Sequence, residues 1–396
     1  MEIFLDYRQI TSVKKNRNNI PHIFEKHISL EEHHKAQDYT LAKCHFSILQ
    51  NIFESILLLF WTWGGGLLFL ENFMQGTAFA PLLKNILLVL SFSLITAILT
   101  LPFSLYHAFV LEVRFGFNRM TIKTFFTDKI KGLFLSLFLG IPLLAILFII
   151  IQNLGNAWWF YAWLIFVLFQ LILTWAYPRF IAPWFNRFTM LPAGDTRDKI
   201  EELLSKLNFP KSHLWVMDAS KRSSHGNAYF TGFGKNKKIV LFDTLVERLN
   251  AGEITAVLAH ELGHFKLKHI LKMLIFSSAT LLMGFFILGQ CYHSASFLQR
   301  HSVFLNEASD ALYFILFSLV VPLYTFILTP IGTWISRRHE FEADFFANQY
   351  TPKEDLIKAL LILQKENAST LTPDSLYANF YYSHPALIER MNAMNL

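Results

Sequence analysis

Six apolar stretches, each about as long as a bilayer is thick, constrain this chain more than any other feature of its sequence. They lie at 46–70, 82–110, 133–151, 157–177, 271–291 and 312–335. A helix needs about 20 residues to cross the hydrocarbon core, so each stretch is long enough to span. The basic residues fall between them in a definite order. Seven Lys and Arg precede the first stretch, 5 lie in 111–132, 14 in 178–270 and 6 after 335, while the other three loops carry 0, 0 and 1. With six spans every basic segment falls on one side, as the positive-inside rule requires, and an odd number would spoil the alternation. Both termini and the large polar segment 178–270 are therefore expected on the cytosolic side. The net charge of +6 is explained by this topology, and no nucleic-acid partner is expected. Met1 to Ile20 carries no cleavable signal peptide pattern. Cys44 and Cys291 fall on opposite sides of the membrane, so no disulfide is expected.

The reading divides the chain into a polar N-terminal segment (1–45), a four-span region (46–177), a cytosolic domain (178–270), two further spans (271–335) and a C-terminal part (336–396). Within 178–270, residues 195–207 read as an amphipathic helix and 214–217 as a strand. Two strand-like runs, 227–233 and 238–242, are joined by GKNK at 234–237 as a plausible hairpin. A helix starting near Gly252 is expected to run on into the fifth span, and the sixth span to run on into 337–350. A last helix is expected near Pro385, a residue suited to a first helical position, with His384 at or near its N-cap.

The chemistry concentrates in HELGH at 260–264. Histidines four apart share a helical face and can converge on one ion, and Glu261 between them can meet a metal-activated water. The same pattern also fits histidines that simply solvate a helix at a membrane surface. A catalytic zinc centre wants a third protein ligand, and SRRHEFEAD at 336–344 lies at the same face, after the sixth span. Glu340 can ligate, and Asp344, one turn on, can accept the N–H of a ligating histidine. Glu342 and His339 are weaker ligand candidates. Glu54, Glu71 and His107 border or enter spans and read as snorkelling groups, while the Trp61/Trp63 and Trp158/Trp159 pairs read as interfacial belts.

Taken in order, these elements resemble the type I CAAX prenyl endopeptidases, membrane-embedded zinc metalloproteases. The resemblance rests on EVRFGFN at 112–118, IAPWFN at 181–186, SKRSSHGNAYF at 220–230 and KIVLFDT at 238–244. HELGH, SRRHEFEAD, and SHP at 383–385 with Arg390 complete it. It implies a mainly α, polytopic fold enclosing an intramembrane chamber, with a zincin-like α+β domain. It also implies one Zn²⁺ held by His260, His264 and Glu340, with Glu261 as general base and Asp344 orienting a ligand. His384 and Arg390 are implied at the scissile carbonyl. Asn227, Ala228, Tyr229 and Phe230 are implied as a strand edge that pairs with the substrate. Family members usually open with a further membrane helix, of which only Ile3 to Leu5 remains here. The implied reaction is removal of the C-terminal -aaX tripeptide from prenylated proteins. The alternatives are a quality-control protease of broad specificity, or a non-catalytic transporter or scaffold. The expected partners are a peptide or protein substrate and the lipid bilayer, with no obligate protein partner. The expected location is a bacterial inner membrane, or the endoplasmic reticulum membrane in a eukaryotic cell.

Overall fold

The computed structural model describes residues 1–209, 213–231, 238–292, 294–301 and 308–394. Six helical segments are long and apolar enough to cross a membrane: Leu30–Trp61, Pro81–Arg114, Ile122–Asn153, Gly155–Phe185, His269–Cys291 and Asp310–Ala347. The helices used below are α1 (Glu2–Lys15), α2 (Leu30–Trp61), α3 (Pro81–Tyr106), α4 (Ile122–Asn153), α5 (Trp158–Ala176), α6 (Asp195–Lys206) and α7 (Ala251–Lys266). They continue with α8 (His269–Cys291), α9 (Asp310–Thr325), α10 (Thr329–Ala347), α11 (Lys353–Glu366), α12 (Ser375–Tyr381) and α13 (Leu387–Ala393).

Two cores result. One is the membrane bundle, where Leu88, Leu147, Phe148, Leu312 and Leu316 are buried among helices whose outer faces stay apolar. Exposed Phe138, Phe134 and Ile98 on those faces are what a lipid solvent calls for. The other core joins α6, α7, α11 and α13 to a small sheet through Ile200, Ile239, Leu241, Ile254, Leu258 and Leu356. Residues from 347 to 394 thus pack in the same core as 191–262 rather than forming one of their own.

The sheet has the order β1-β2-β4-β3, from β1 (Phe188–Met190), β2 (His213–Met217), β3 (Ala228–Thr231) and β4 (Lys238–Phe242). β2 and β4 run parallel, with Trp215 opposite Val240. β3 runs antiparallel to β4, with Tyr229 opposite Val240, and stands at the sheet edge. The expected hairpin loop at 234–237 lies outside the described residues.

Several boundaries differ from the sequence reading for local reasons. The first span does not continue to residue 70. After Trp61 the chain turns through Gly64, Gly65 and Gly66, with Gly65 at φ +77°, a left-handed conformation that glycine adopts without a Cβ penalty. A separate short helix, Gly66–Gln75, follows. Glu71 does not snorkel: it is buried and accepts from the Ser309 N–H (3.0 Å) and hydroxyl (2.7 Å) just before α9. Trp61 and Trp158 lie buried in the bundle, not in an outer belt. The sixth span is broken between α9 and α10 by a 3₁₀ turn at Phe326–Leu328, between Pro322 and Pro330. The last helix begins at Leu387, not Pro385, because Glu389 Oε2 accepts the Ala386 N–H (3.2 Å) and fixes the start there. Ala386 is the N-cap, and His384 lies two residues before it. Finally, α7 does not run into the fifth span: it stops at Lys266, and Lys268 adopts φ +59°, ψ 32° before α8 begins.

Candidate metal centre

α7 is started by a capping box in which Asn250 accepts the Glu253 N–H (3.0 Å) and Glu253 accepts the Asn250 N–H (2.9 Å), a device worth about 1 kcal/mol. It aims His260 and His264 along one face toward α10. Close approach of the two helices depends on Gly263. A Cβ there would lie 3.1 Å from Ala343 Cα and 3.2 Å from Phe346 Cβ. The glycine of HELGH is thus the point where α10 can come near enough to deliver Glu340.

His260, His264 and Glu340 form a group with metal-ligand spacing. His260 Nε2 lies 3.1 Å from His264 Nε2 and 3.4 Å from Glu340 Oε2, and His264 Nε2 lies 3.3 Å from Glu340 Oε1. Tetrahedral ligands bound at about 2.0–2.1 Å stand about 3.3–3.4 Å apart, so the triangle fits such an ion. The donor set points the same way: two imidazole nitrogens and a buried carboxylate converge on one point, the ligand types of a catalytic zinc centre. Glu342 and His339, weighed as ligands above, lie outside this group.

The centre is braced on both sides. His260 Nδ1 meets Asp344 Oδ1 at 2.8 Å, and Asp344 in turn takes Arg390 Nε on Oδ2 (2.7 Å) and a second guanidinium nitrogen on Oδ1. All three residues are buried. Burial disfavours the charged imidazolium, but the Asp344 and Glu340 carboxylates outweigh it and push His260 up to about 9 without an ion. Burial likewise pushes the Glu261 carboxyl upward, with the neighbouring histidines opposing it. His384 Nδ1 reaches Glu340 Oε2 at 2.8 Å while most of its side chain stays exposed. Arg390 Nη1 lies 3.6 Å from the same oxygen.

The second brace was not anticipated. His264 Nδ1 lies 3.0 Å from His269 Nδ1, and His269 Nε2 lies 3.1 Å from Glu342 Oε2. With His264 Nε2 turned toward the ion, its Nδ1–H donates to His269 Nδ1, and His269 Nε2–H donates to Glu342. His339 stacks on His269 with ring centroids 4.0 Å apart. The left-handed Lys268, an uncommon conformation for a non-glycine residue, turns α8 so that its first residue faces back to His264. The only sequence signal was a histidine five residues after His264, a spacing that no continuous helix face brings together.

Glu261, His264 and Tyr229 line a cavity of about 490 Å³ that continues along Met273 and Leu274 of α8 toward Gln170 of α5. Its walls are mostly apolar beyond the histidines. Tyr229 belongs to β3, and no described strand pairs with the other edge of β3. Asn227 is held by its carbonyl to the Phe242 N–H (3.0 Å).

Six apolar helices carrying a His–His–Glu centre in a helix-braced domain define a multi-pass membrane metalloprotease. A family model described as the CAAX prenyl protease N-terminal region with five membrane helices matches residues 9–187. A second, peptidase family M48, matches residues 191–395. The chain belongs to peptidase family M48, as a metalloendopeptidase of the CAAX prenyl protease type. It is 39% identical to the CAAX prenyl protease 1 homolog of Arabidopsis thaliana, covering 100% of this chain and 94% of that protein. It is 34% identical to CAAX prenyl protease 1 of Saccharomyces cerevisiae, covering 100% and 92%. The crystal structure of S. mikatae Ste24p superposes with a TM-score of 0.94 at 34% identity, covering 100% of this chain and 96% of that one. Within residues 9–187 four described helices are long and apolar enough to span, against the five of the family description.

Proposed function

We propose that this protein removes the C-terminal -aaX tripeptide from prenylated CAAX proteins, using one Zn²⁺ held by His260, His264 and Glu340. The observation that carries the ligand set is the triangle of ligand atoms 3.1–3.4 Å on a side. The chemistry zinc supplies at such a centre is Lewis acidity, enough to bring a water's pKa to about 7. The protein residues do the rest. Glu261, beside the first histidine and raised in pKa by burial, takes the proton of the attacking water and delivers it to the leaving amine. Asp344 and His269 hold the two ligand imidazoles with Nε2 facing inward. His384 and Arg390 are the groups nearest Glu340 that can donate to a developing oxyanion. The free edge of β3 at Asn227, Ala228, Tyr229 and Phe230 pairs with the extended peptide, which favours one backbone direction and reads few side chains.

A cavity lined by Met273, Leu274 and Ile270 next to Glu261 lets an isoprenoid remain in apolar surroundings while the peptide reaches the centre. Burying such a chain is worth about 0.8 kcal/mol per CH₂. The basic loops favour a cytosolic position for 178–270 and 336–396, which share one core. The named relatives are eukaryotic, which favours the endoplasmic reticulum membrane over a bacterial one. The test is a matched pair of CAAX peptides differing only in the farnesyl group. The proposal expects both to be cleaved, with the farnesyl group raising kcat/KM. No effect of the lipid would instead favour a broad quality-control protease.

A further inference from the structure

A second cavity, of about 330 Å³, has His384 in its wall. It is walled by Gln9 of α1, Lys43 of α2, Thr370, Tyr377, Tyr382 and His384. Its lining contains two groups that can carry positive charge and no carboxylate. Lys43 makes no ion pair among the described residues; its ammonium lies 4.6 Å from the Tyr39 ring centroid. Gln9 is fully buried, and its Oε1 accepts the Asp374 N–H at 2.7 Å. Its Nε2 has no hydrogen bond of good geometry. A buried amide donor left in this state is costly unless something fills the cavity and accepts from it. Behind the wall, Asp6 accepts from Ser47 (2.8 Å) and Asn51 (3.4 Å), and burial pushes its pKa up, which weakens any repulsion, while Glu112 accepts from the Tyr39 hydroxyl (2.6 Å). Asp374 is paired with Arg8 at 2.8 Å.

We infer that this cavity, resting on the peptidase reading above, receives the free α-carboxylate at the end of the substrate, between Lys43 and Gln9. With the scissile carbonyl at the centre, three extended residues reach about 10 Å further. His384 belongs to both places: its Nδ1 lies 2.8 Å from Glu340 Oε2, and it forms part of the cavity wall. The site therefore measures how many residues follow the cleaved bond, which the β3 edge cannot do because main-chain pairing repeats every two residues. Charged, hydrogen-bonded recognition of a carboxylate supplies that discrimination.

The experiment compares two prenylated peptides of identical sequence, one ending in a free carboxylate and one in a carboxamide, in phosphatidylcholine vesicles where no anionic headgroup competes. The wild type is expected to prefer the free acid by about tenfold in kcat/KM, chiefly through KM, the size of one charge-assisted hydrogen bond. Lys43→Gln is expected to bring that preference within about twofold by raising KM for the free acid, Lys43→Arg to keep it, and an unfolding temperature at the wild-type value reports that the variants fold. Equal cleavage of both peptides by the wild type, or an undiminished preference in Lys43→Gln, overturns the inference and leaves the peptidase reading standing. Cleavage of neither peptide overturns both.

Discussion

Removing the Asp344 carboxylate separates two tasks that the structure gives to one side chain. Oδ1 holds His260 at 2.8 Å, and the same carboxylate neutralises the buried Arg390 through Nε at 2.7 Å. Loss of the partner that orients a metal-binding histidine typically weakens metal affinity by about 10- to 100-fold, or roughly 1.4–2.7 kcal/mol. Asp344→Asn keeps an acceptor for His260 and loses only the charge, so it belongs near the tenfold end; Asp344→Ala belongs near the hundredfold end. Either change also leaves a guanidinium that is 7% exposed with only the more distant Glu340, 3.6 Å away, as counter-charge, and removing one partner of a buried pair costs up to about 3–5 kcal/mol. The two effects are separable. Adding Arg390→Met to Asp344→Asn should restore much of the fold stability and none of the metal affinity. The assays are chelator competition for the metal and thermal unfolding of the metal-free protein. Metal affinity within twofold of wild type in Asp344→Asn would refute the claim that this carboxylate orients the ligand.

Three further perturbations test other contacts. His269→Phe should preserve the ring stack on His339 while removing the acceptor for His264, lowering metal affinity by about tenfold and altering the visible spectrum of a cobalt-substituted protein; an unchanged spectrum would remove His269 from the centre. Gly263→Ala forces α7 and α10 apart at a contact of 3.1 Å and should cost about 1–3 kcal/mol in unfolding experiments, with metal affinity falling alongside; wild-type values for both would mean the helices are not in contact there. His225 is raised in pKa, first by Glu112 at 3.7 Å and against the effect of its burial. A raised folded value contributes stability fully below the unfolded pKa near 6.5 and loses it as pH rises through the folded value. The stability gap between wild type and His225→Gln should therefore shrink as pH rises from about 6 to 8, whereas a constant gap would deny the pairing.

The sequence revealed what depends on spacing along one helix. His260 and His264 share a face by their four-residue separation, and Glu340 and Asp344 do the same on the second helix, so each half of the candidate centre is legible from spacing alone. The six apolar stretches were legible because lipid imposes length and composition together. What could not be read depended on tertiary choice. Nothing in the run Lys266-Leu-Lys-His269 marks a break, since it contains neither glycine nor proline. Lys268 turns because His269 gains His264 and Glu342 by it. Pro385 looked like a helix start, but Glu389 selects Ala386 as the boundary. Glu71 looked like a snorkelling end group because its partner, Ser309, lies 238 residues away.

If His260, His264 and Glu340 hold the zinc while Glu261 handles only the proton, metal binding and turnover come apart in a single variant. Metal analysis of purified Glu261→Gln beside the wild type, with a cleavage assay on the farnesylated peptide, tests it most directly. The prediction is one zinc per chain in both proteins, with kcat in the variant lower by at least about 10²-fold, the lower end of what general-base catalysis contributes. Near wild-type turnover in that variant, or loss of its zinc, would contradict the assignment.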